Sequence, residues 1–422
     1  MKKALVITAY DGIDSLYCGV GTYIQNILGI LDTNPLNMDI YIIAPQISIQ
    51  GQGYNKEVSE NTQKILSRNN IHIYRFNNGT KGLSSYGWIE NWALASKKSA
   101  EFIDKLAKDY DKIDVLCTDT PYLHVPFYCQ HKTKQTTFFL FFHSDFFMHL
   151  EKTTEPPREK LDWEAGAIAF ATTQKNVYFI DMGAYIKTHL RNVYKIKNSK
   201  FKTLKHGVDP KNNRYAQIYT QDQIAKRLKE YNIPLNKQLI FTIGRAVQYK
   251  GFDELIAAME IVQKSVPNTH LVILAPKYKH ESSYENTIKD KAKKACLDCT
   301  LLFDEDIHLP ALLAQWHNSY LCTQFAYKEP FGLVPEEVRV WSQQNPNMSI
   351  LASNTAGHIE QITDAKDGFL VNTFDTKITA DKIIELLKMS SSDKSKIMKE
   401  GYNTFERNYN FRHNLLNFLN TL

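Results

Sequence analysis

The sequence is poor in cysteine and glycine, has no long hydrophobic run and carries little net charge. Only 6 cysteines and 18 glycines occur among the 422 residues, which excludes a disulfide-dense scaffold and a collagen-like chain. No stretch approaches the ~20 apolar residues that a membrane-spanning helix needs. The 51 Lys+Arg and 45 Asp+Glu leave a net charge of +6, so the total charge alone does not indicate a nucleic-acid-binding protein.

The composition is that of a soluble globular protein. Apolar residues make up 43% of the chain and aromatic residues 12%, more than in disordered chains, and the length suggests two or three domains. The apolar run at residues 4–10 is too short for a signal peptide, and acidic residues follow where a cleavage site would lie. Cys296 and Cys299 form a single CxxC pair, which is too little to predict a metal or redox site. We therefore expect a cytoplasmic protein with reduced cysteines.

Short apolar runs alternate with segments of helical period, which is typical of βαβ units in a parallel sheet. A first series of strands is predicted at residues 4–8, 40–44, 71–74, 115–117 and 138–142. A second series is predicted at residues 239–243, 271–275, 301–303, 320–325, 350–352 and 368–371. Helices are predicted at residues 22–31, 96–107, 252–266, 335–342, 383–387 and 411–422, with Ser390 as a helix N-cap. Because the two series join near residues 210–236, we predict an α/β protein with two Rossmann-like, doubly wound parallel-sheet domains facing across a cleft.

The most informative stretch reads EPFGLVPEE and runs from Glu329 to Glu337. Pro335 suits the first turn of a helix, and Gly332 allows a ligand to approach the backbone. The start of that helix offers unpaired N–H groups to a phosphate. The two glutamates could accept hydroxyl groups of a sugar and of a ribose. The alternative is a loop with surface glutamates in an ordinary first helical turn.

The spacing of Glu329 and Glu337 resembles the E-x7-E signature of retaining glycosyltransferases of the GT-B fold, of the glycosyltransferase family 4 type. Upstream, the segment IGRAVQYKGF at residues 243–252 resembles that family's GR…KG segment, which implies Arg245 and Lys250 at the donor diphosphate. Arginine and lysine five residues apart after a strand also suit a dianionic leaving group on chemical grounds.

Four further segments resemble family segments in the same order along the chain. They are GVGT at residues 19–22, LKHGVD at 204–209, ASNTAGHIE at 352–360 and DGFLV at 367–371. The resemblance implies that residues 1–210 bind the acceptor and residues 211–401 bind the nucleotide-sugar donor. It also implies that a last helix, residues 402–422, packs back on the N-terminal domain.

The resemblance assigns roles to individual residues. It implies that the catalytic residues are Glu329, Arg245, Lys250 and His143. Among them, Glu329 binds hydroxyls of the donor sugar and His143 lies near the 6-hydroxyl of that sugar. It also implies that the donor is bound by Gly19, Gly21, Gly244, Phe331, Gly332, Leu333, Val334 and Glu337. Among these, Glu337 binds the ribose. The alternative to a catalytic role is that His143 only caps a loop after the strand at 138–142.

The chain departs from the family pattern at several positions. Ala275-Pro-Lys277 replaces a glycine-rich turn, which leaves recognition of the nucleotide base open, and Ala356-Gly357 replaces a Gly-Gly pair. No Asp-x-Asp metal motif is found in family context, Asp304-Glu-Asp306 being the nearest stretch. We therefore expect no metal and no cofactor beside the nucleotide diphosphate sugar, with Arg245, Lys250 and the helix start stabilising the leaving group.

The acceptor is less defined by the sequence. The segment 187–205 holds seven basic residues and no acid, interleaved with apolar residues at 186–201. Such a segment can contact an anionic membrane surface or nucleic-acid phosphates, and a solvated helix face is the alternative. We rank a glycan or lipid-linked glycan at the inner membrane face first, a small molecule or protein side chain second, and modified DNA third.

Three other functions fit a two-domain α/β chain. A phosphorylase-like enzyme needs a pyridoxal lysine and a much longer chain, and a two-lobed sugar-binding protein needs secretion. A sugar-nucleotide epimerase of the same fold binds the same kind of ligand, but we expect it to lack the combination of E-x7-E with GR…KG. Hexose transfer with retention is thus the predicted reaction, by either a front-face or a covalent route.

Overall fold

The computed structural model describes residues 1–16, 19–49, 51, 53–68, 70–79, 87–130, 135–143, 158–276, 282–304 and 306–422. Cys18, Lys277 and Glu305 lie outside these ranges, and the five cysteines within them form no disulfide with one another. The chain forms two compact units, one of Met1–His206 with Phe411–Leu422 and one of Gly207–Asn410. The units therefore divide after residues 206 and 410, where the sequence suggested 210 and 401.

The first unit is built on a seven-stranded sheet in which every strand pair is parallel, in the order β3-β2-β1-β4-β5-β6-β7. Its strands are β1 (Lys3–Thr8), β2 (Asp39–Pro45), β3 (Ile71–Phe76), β4 (Lys112–Cys117), β5 (Thr136–Leu140), β6 (Val177–Asp181) and β7 (Phe201–Thr203). The five predicted strands are confirmed, and β6 and β7 were missed. Residues 141 and 142 were predicted in β5 but lie beyond it, because hydrophobic character reports burial and these two phenylalanines are buried outside the ladder.

Helices connect the strands of the first unit. They are α1 (Gly19–Thr33), α2 (Lys56–Arg68), α3 (Ile89–Leu106), α4 (Val125–Tyr128), α5 (Arg158–Thr173) and α6 (Ala184–Tyr194). The inner strands β1, β2, β4, β5 and β6 are mostly buried, as expected for a sheet covered on both faces. The outer strands β3 and β7 are more exposed. The C-terminal helix of the chain (Phe411–Leu419) contributes Phe411 and Leu415 to this core.

The second unit repeats the architecture with a six-stranded parallel sheet, in the order β10-β9-β8-β11-β12-β13. Its strands are β8 (Gln238–Ile243), β9 (Thr269–Leu274), β10 (Cys299–Leu302), β11 (Ser319–Gln324), β12 (Ile350–Ser353) and β13 (Phe369–Val371). All six were predicted, with ends that differ by one or two residues, as is usual for strand boundaries.

The helices of the second unit follow in chain order. They are α7 (Asn213–Ala216), α8 (Gln221–Glu230), α9 (Phe252–Ser265), α10 (Ser282–Lys294), α11 (Leu309–Gln315), α12 (Val334–Trp341), α13 (His358–Gln361), α14 (Thr376–Lys388) and α15 (Ser391–Asn408), and the C-terminal helix of the first unit is α16. The Ser390 side chain accepts a hydrogen bond from the Asp393 N–H at 3.1 Å, which confirms the predicted N-cap. Within the described ranges, every helix is too short or too polar to cross a bilayer.

Candidate functional site

The order of the strands locates the functional region of the second unit. Strand β8 has β9 on one side and β11 on the other, so the chain changes direction across the sheet between β8 and β11. In open parallel sheets, ligands bind beyond the carboxyl ends of the strands at such a switch point. The loops after β8 and after β11 are those with the GRAVQYKG and EPFGL sequences. They meet where the Tyr327 N–H donates to the Tyr249 carbonyl at 3.1 Å.

An ion pair joins these two loops. The Lys250 ammonium donates to Glu329 Oε2, and the two side chains are only 17% and 19% exposed. Burial by itself lowers the pKa of Lys250, but the charge of Glu329 outweighs it and holds the pKa above its ordinary value. Burial likewise raises the pKa of Glu329, and the charge of Lys250 reverses this, so that the pKa lies below its ordinary value. Both groups are therefore charged near neutral pH.

Arg245 adds a second cation to this place. Its guanidinium Nη2 donates to the Tyr249 hydroxyl at 3.1 Å. Its charge lowers the pKa of Glu329 and opposes protonation of Lys250, which means that it lies close enough to act on both. The loops thus bring two cations and one carboxylate together, with one positive charge in excess.

Two glycines give the Lys250 loop its shape. A Cβ on Gly244 would lie 3.3 Å from the Lys250 side chain, so the absence of a side chain there makes room for the lysine stem. Gly251 has φ +74°, and a Cβ there would lie 2.4 Å from the Phe325 carbonyl oxygen. Both the positive φ and the close Phe325 carbonyl therefore require glycine at 251, where the end of the loop packs against the end of β11.

Glu337 lies on the first turn of α12 and is 5% exposed. Its Oε1 accepts a hydrogen bond from the Tyr215 hydroxyl at 3.1 Å and lies 3.6 Å from Arg214 Nη2. The neighbouring Glu336 is wholly buried, and its carboxylate pairs with Arg339 at 3.1 Å. Neither glutamate is a surface residue, so the simpler interpretation of this stretch is wrong.

The middle of the EPFGL loop packs against the core. Phe331, Leu333 and Val334 are half-buried against the apolar cluster of the second unit. The Leu333 carbonyl accepts the Glu337 N–H at 2.9 Å and so opens the helix. The side chains of these three residues are thus held by packing.

A histidine that sequence reasoning missed supports this loop. His358 is completely buried, and its Nδ1 lies 3.0 Å from Ser353 Oγ. The Ser353 hydroxyl donates to the Ala326 carbonyl at 2.5 Å, so the histidine Nδ1–H must be the donor to Ser353. Nε2 is then an acceptor. It has no hydrogen-bond partner among the residues that the structure describes, and a Cβ on Gly332 would lie 3.1 Å from it. Burial lowers the pKa of His358 to about 4, so the ring is neutral.

The segment that carries His358 is itself locked onto the loop. The Gly357 N–H donates to the Glu329 carbonyl at 2.9 Å, and a Cβ on Gly357 would lie 2.1 Å from the Pro330 carbonyl oxygen. Ala356, where the family pattern has glycine, adopts φ +51°. The departure from the Gly-Gly pair is thus accommodated by a left-handed alanine, at a cost in backbone strain.

The predicted residues Gly19, Gly21 and His143 belong to the first unit. A Cβ on Gly21 would lie 2.4 Å from Asp11 Oδ2, so this glycine is required by packing. Gly19 begins α1, and among the described residues no atom lies within 4 Å of a Cβ built on it, so packing against them does not explain this glycine.

His143 follows β5, as predicted. Its Nε2 lies 3.0 Å from the Thr118 carbonyl, so Nε2 carries the hydrogen. Its ring packs edge-on against Tyr23 with a centroid distance of 5.0 Å. Burial lowers the pKa of His143 to about 4, so the ring is neutral and presents Nδ1 as an acceptor.

The basic segment 187–205 is less available than its sequence suggests. Its apolar companions are buried in the core of the first unit: Ile186, Leu190, Ile196 and Phe201. The Lys187 ammonium pairs with Asp181 at 2.7 Å, and that of Lys200 donates to the Val177 carbonyl at 3.0 Å. Val193 is the large apolar side chain of the segment that stays exposed, at 43%. The basic surface therefore lacks the apolar face that insertion into a bilayer needs.

No group of three or more His, Cys, Asp or Glu side chains lies close enough to hold a metal ion in the described part of the chain.

Comparison with known proteins relates this geometry to a family. Residues 223–404 match the family model of glycosyl transferases group 1. Over 261 residues, the chain is 23% identical to spore coat protein SA of Bacillus subtilis (strain 168), covering 60% of this chain and 66% of that protein. Over 198 residues, it is 24% identical to D-inositol 3-phosphate glycosyltransferase of Corynebacterium efficiens, covering 46% and 45%. The matched region thus spans about two thirds of the length of the first relative and less than half of the length of the second.

The fold is shared over the whole length with solved structures. Sucrose-phosphate synthase of Thermosynechococcus elongatus superposes with a TM-score of 0.73, at 15% identity, covering 100% of this chain and 98% of that one. With two parallel-sheet α/β domains, the chain has the GT-B fold. Its residues 223–404, which match the family model of glycosyl transferases group 1, hold the Lys250–Glu329 pair.

Proposed function

We propose that this protein is a retaining glycosyltransferase that moves a hexose from a nucleotide diphosphate sugar to an acceptor hydroxyl. The observation that carries the proposal is the Lys250–Glu329 ion pair with Arg245 beside it, at the switch point of the family-matched unit. The Lys250 and Arg245 cations could bind a diphosphate, and the Glu329 carboxylate beside them could accept hydrogen bonds from sugar hydroxyls.

The cations suit the charge that develops in the reaction. Breaking the sugar–phosphate bond leaves electrons on the diphosphate and positive charge on the sugar ring. Arg245 and Lys250 would stabilise the departing diphosphate, and each well-placed donor of this kind contributes about 3 kcal/mol to the transition state. The ion pair with Glu329 keeps Lys250 charged and in position before the donor arrives. The ammonium group can then turn from the carboxylate to a phosphate oxygen of the donor.

Glu329 is suited to accept hydrogen bonds and not to donate a proton. Its pKa lies below the ordinary value because burial is outweighed by the charge of Lys250, so it is ionised at neutral pH. In the proposal it binds hydroxyls of the hexose, and Glu337, oriented by Tyr215, binds the ribose. In the front-face route, the bond from the sugar to the diphosphate breaks and the acceptor oxygen bonds the sugar on the same face. The departing phosphate oxygen is then the base that takes the proton of the acceptor hydroxyl.

We propose that transfer needs no metal ion, since Arg245 and Lys250 supply two cations that can stabilise the leaving diphosphate. The proposed acceptor is a glycan or lipid-linked glycan, followed by a small molecule or protein side chain, and then by modified DNA. Contact with an anionic membrane would be electrostatic only, through exposed cations such as Arg191, Lys195 and Lys197, because the apolar residues of the segment are buried. The proposed location is the cytoplasm.

Incubation with radiolabelled nucleotide sugars, with and without EDTA, tests this proposal. We expect transfer to an acceptor or slow donor hydrolysis, unaffected by EDTA. Interconversion of the sugar without release of nucleotide would favour the epimerase alternative. Binding without turnover would favour a receptor.

Variants test the residues. Lys250→Met and Glu329→Gln should each lower kcat at least 100-fold with an unchanged circular dichroism spectrum. The matched control is Lys377→Met, which removes an exposed lysine of an i,i+4 pair on α14 and should keep full activity. Wild-type turnover in either site variant would remove the assignment.

A further inference from the structure

A pocket in the second unit lies beyond the carboxyl ends of β8, β9 and β10. The last residues of these three strands line it, namely Ile243, Leu274 and Leu302, and Pro276 adds to the wall. Aliphatic side chains on several sides suit a flat ring, as ligand pockets are mostly apolar with a few placed polar groups.

The pocket continues to the proposed ribose site. Arg214 lines it, and the Nη2 of the same arginine lies 3.6 Å from Glu337 Oε1. If Glu337 holds the ribose of the donor, the attached base points toward this pocket. The inference drawn below therefore rests on the proposed function and adds the identity of the base.

Two carboxylates line the pocket, and one of them is fully engaged. Asp306 Oδ2 accepts from the Tyr231 hydroxyl at 2.7 Å and from Arg227 Nη2 at 2.8 Å. Its Oδ1 accepts two backbone N–H groups at 2.9 and 3.1 Å. Burial alone would raise the pKa of Asp306, but these donors lower it below its ordinary value. This carboxylate is a structural part of the wall.

The second carboxylate has its oxygens available. Asp304 follows β10, lines the same pocket and is exposed. Within the described part of the chain, it has no hydrogen-bond or ion-pair partner. Its oxygens can therefore pair with a ligand without breaking an existing contact.

We propose that this pocket binds guanine and that the donor is a guanosine diphosphate sugar. Guanine alone among the common bases presents two adjacent donors on one edge, the N1–H and the exocyclic N2–H, which match the two oxygens of Asp304 in a charge-assisted, bidentate pair. Uracil offers one N–H between two carbonyl oxygens, which the carboxylate repels. Adenine and cytosine each offer an amino group beside a ring nitrogen that accepts, so a carboxylate gains one hydrogen bond and faces one lone pair.

Isothermal titration of the full chain with GDP, UDP and ADP tests this. We expect GDP to bind wild type at least ten-fold more tightly than UDP or ADP. Asp304→Asn should weaken GDP binding about ten-fold or more and should not weaken UDP binding, since it removes the charge that repels the uracil carbonyl oxygens. The control is Asp381→Asn on α14, where an exposed aspartate pairs with Lys377, and it should keep the preference.

The outcomes separate the base from the reaction. Tighter binding of UDP or ADP, with transfer from the corresponding sugar nucleotide, would overturn the guanine assignment and leave the proposed function intact. A GDP preference that survives Asp304→Asn would overturn the role of Asp304. If folded wild-type protein bound none of the three nucleotides, both this inference and the proposed function would fall.

Discussion

The Lys250–Glu329 ion pair should be visible as an energetic coupling between the two side chains. Replacing one partner leaves the other charged in a place where both side chains are mostly buried, at 17% and 19% exposure. Breaking a fully buried pair costs about 3–5 kcal/mol, and the partial exposure reduces this to about 2 kcal/mol for either Lys250→Met or Glu329→Gln. The double variant removes both charges, so it should also cost about 2 kcal/mol, which gives a coupling energy of about 2 kcal/mol.

Amide hydrogen exchange along β8 measures this coupling, since those amides report opening of the second unit alone. The exposed pair of Lys377 and Asp381, with side chains 71% and 56% exposed, is the matched control and should show a coupling below about 0.5 kcal/mol. Additive single-variant effects, within 0.5 kcal/mol, would refute the argument that these charges depend on each other.

The pH dependence of the coupling follows from the direction of each shift. The pKa of Glu329 is lowered by Lys250 against the effect of burial, so its contribution is complete above the ordinary value of 4.5 and is lost as the pH falls through the lower folded-state value. The pKa of Lys250 is raised by Glu329, again against burial. Its contribution is therefore complete below 10.5 and is lost as the pH rises through the higher folded-state value. The coupling should thus be constant between these limits.

The backbone and the buried histidine give further expectations. Ala356→Gly should stabilise the second unit by about 0.5–1 kcal/mol in urea unfolding, because φ is +51° there; equal or lower stability would contradict this. Gly251→Ala should destabilise it by more than about 2 kcal/mol, because φ is +74° and the Phe325 carbonyl oxygen would lie 2.4 Å from the new Cβ. Gly19→Ala has open space and should keep the melting temperature while raising the KM for the donor; an unchanged KM would exclude Gly19 from the site. Burial lowers the pKa of His358 from 6.5 to about 4, so the unfolded state binds the extra proton and stability should fall by about 3 kcal/mol as the pH drops through this window. His358→Gln should remove that part of the loss, and an unchanged pH profile would show that the histidine does not titrate as described.

The sequence predicted the two sheets because alternation of apolar runs with helical segments is a local property. All six strands of the second unit were found, and the start of α12 followed from Pro335. Strands β6 and β7 were missed. Strand β6 pairs with β5 and β7 pairs with β6, and this pairing depends on neighbours that a single segment does not reveal.

The residues of the proposed donor site were predicted from a resemblance to family motifs, which does not reveal their charge state. The sequence indicated that Glu329, Arg245 and Lys250 belong together. That Lys250 and Glu329 pair with each other, and that both stay charged, depends on burial and distance, which exist only once β8 and β11 lie side by side.

The tertiary structure alone decided the remaining features. The histidine in ASNTAGHIE carries no sequence signal for a buried ring beside Gly332. Its partner Ser353 lies in the same segment, but Gly332 and the Ala326 carbonyl that fixes the Ser353 hydroxyl lie in the loop after β11, so the arrangement exists only once β11 and β12 lie side by side. The apolar residues of the basic segment have the same composition whether they face lipid or core, and only packing places them inside. The pocket beside Asp304 arises because three strands end together. Local pattern therefore determined which elements form and which charged residues they carry, while burial and pairing, which depend on residues distant in the chain, decided what those charges can do.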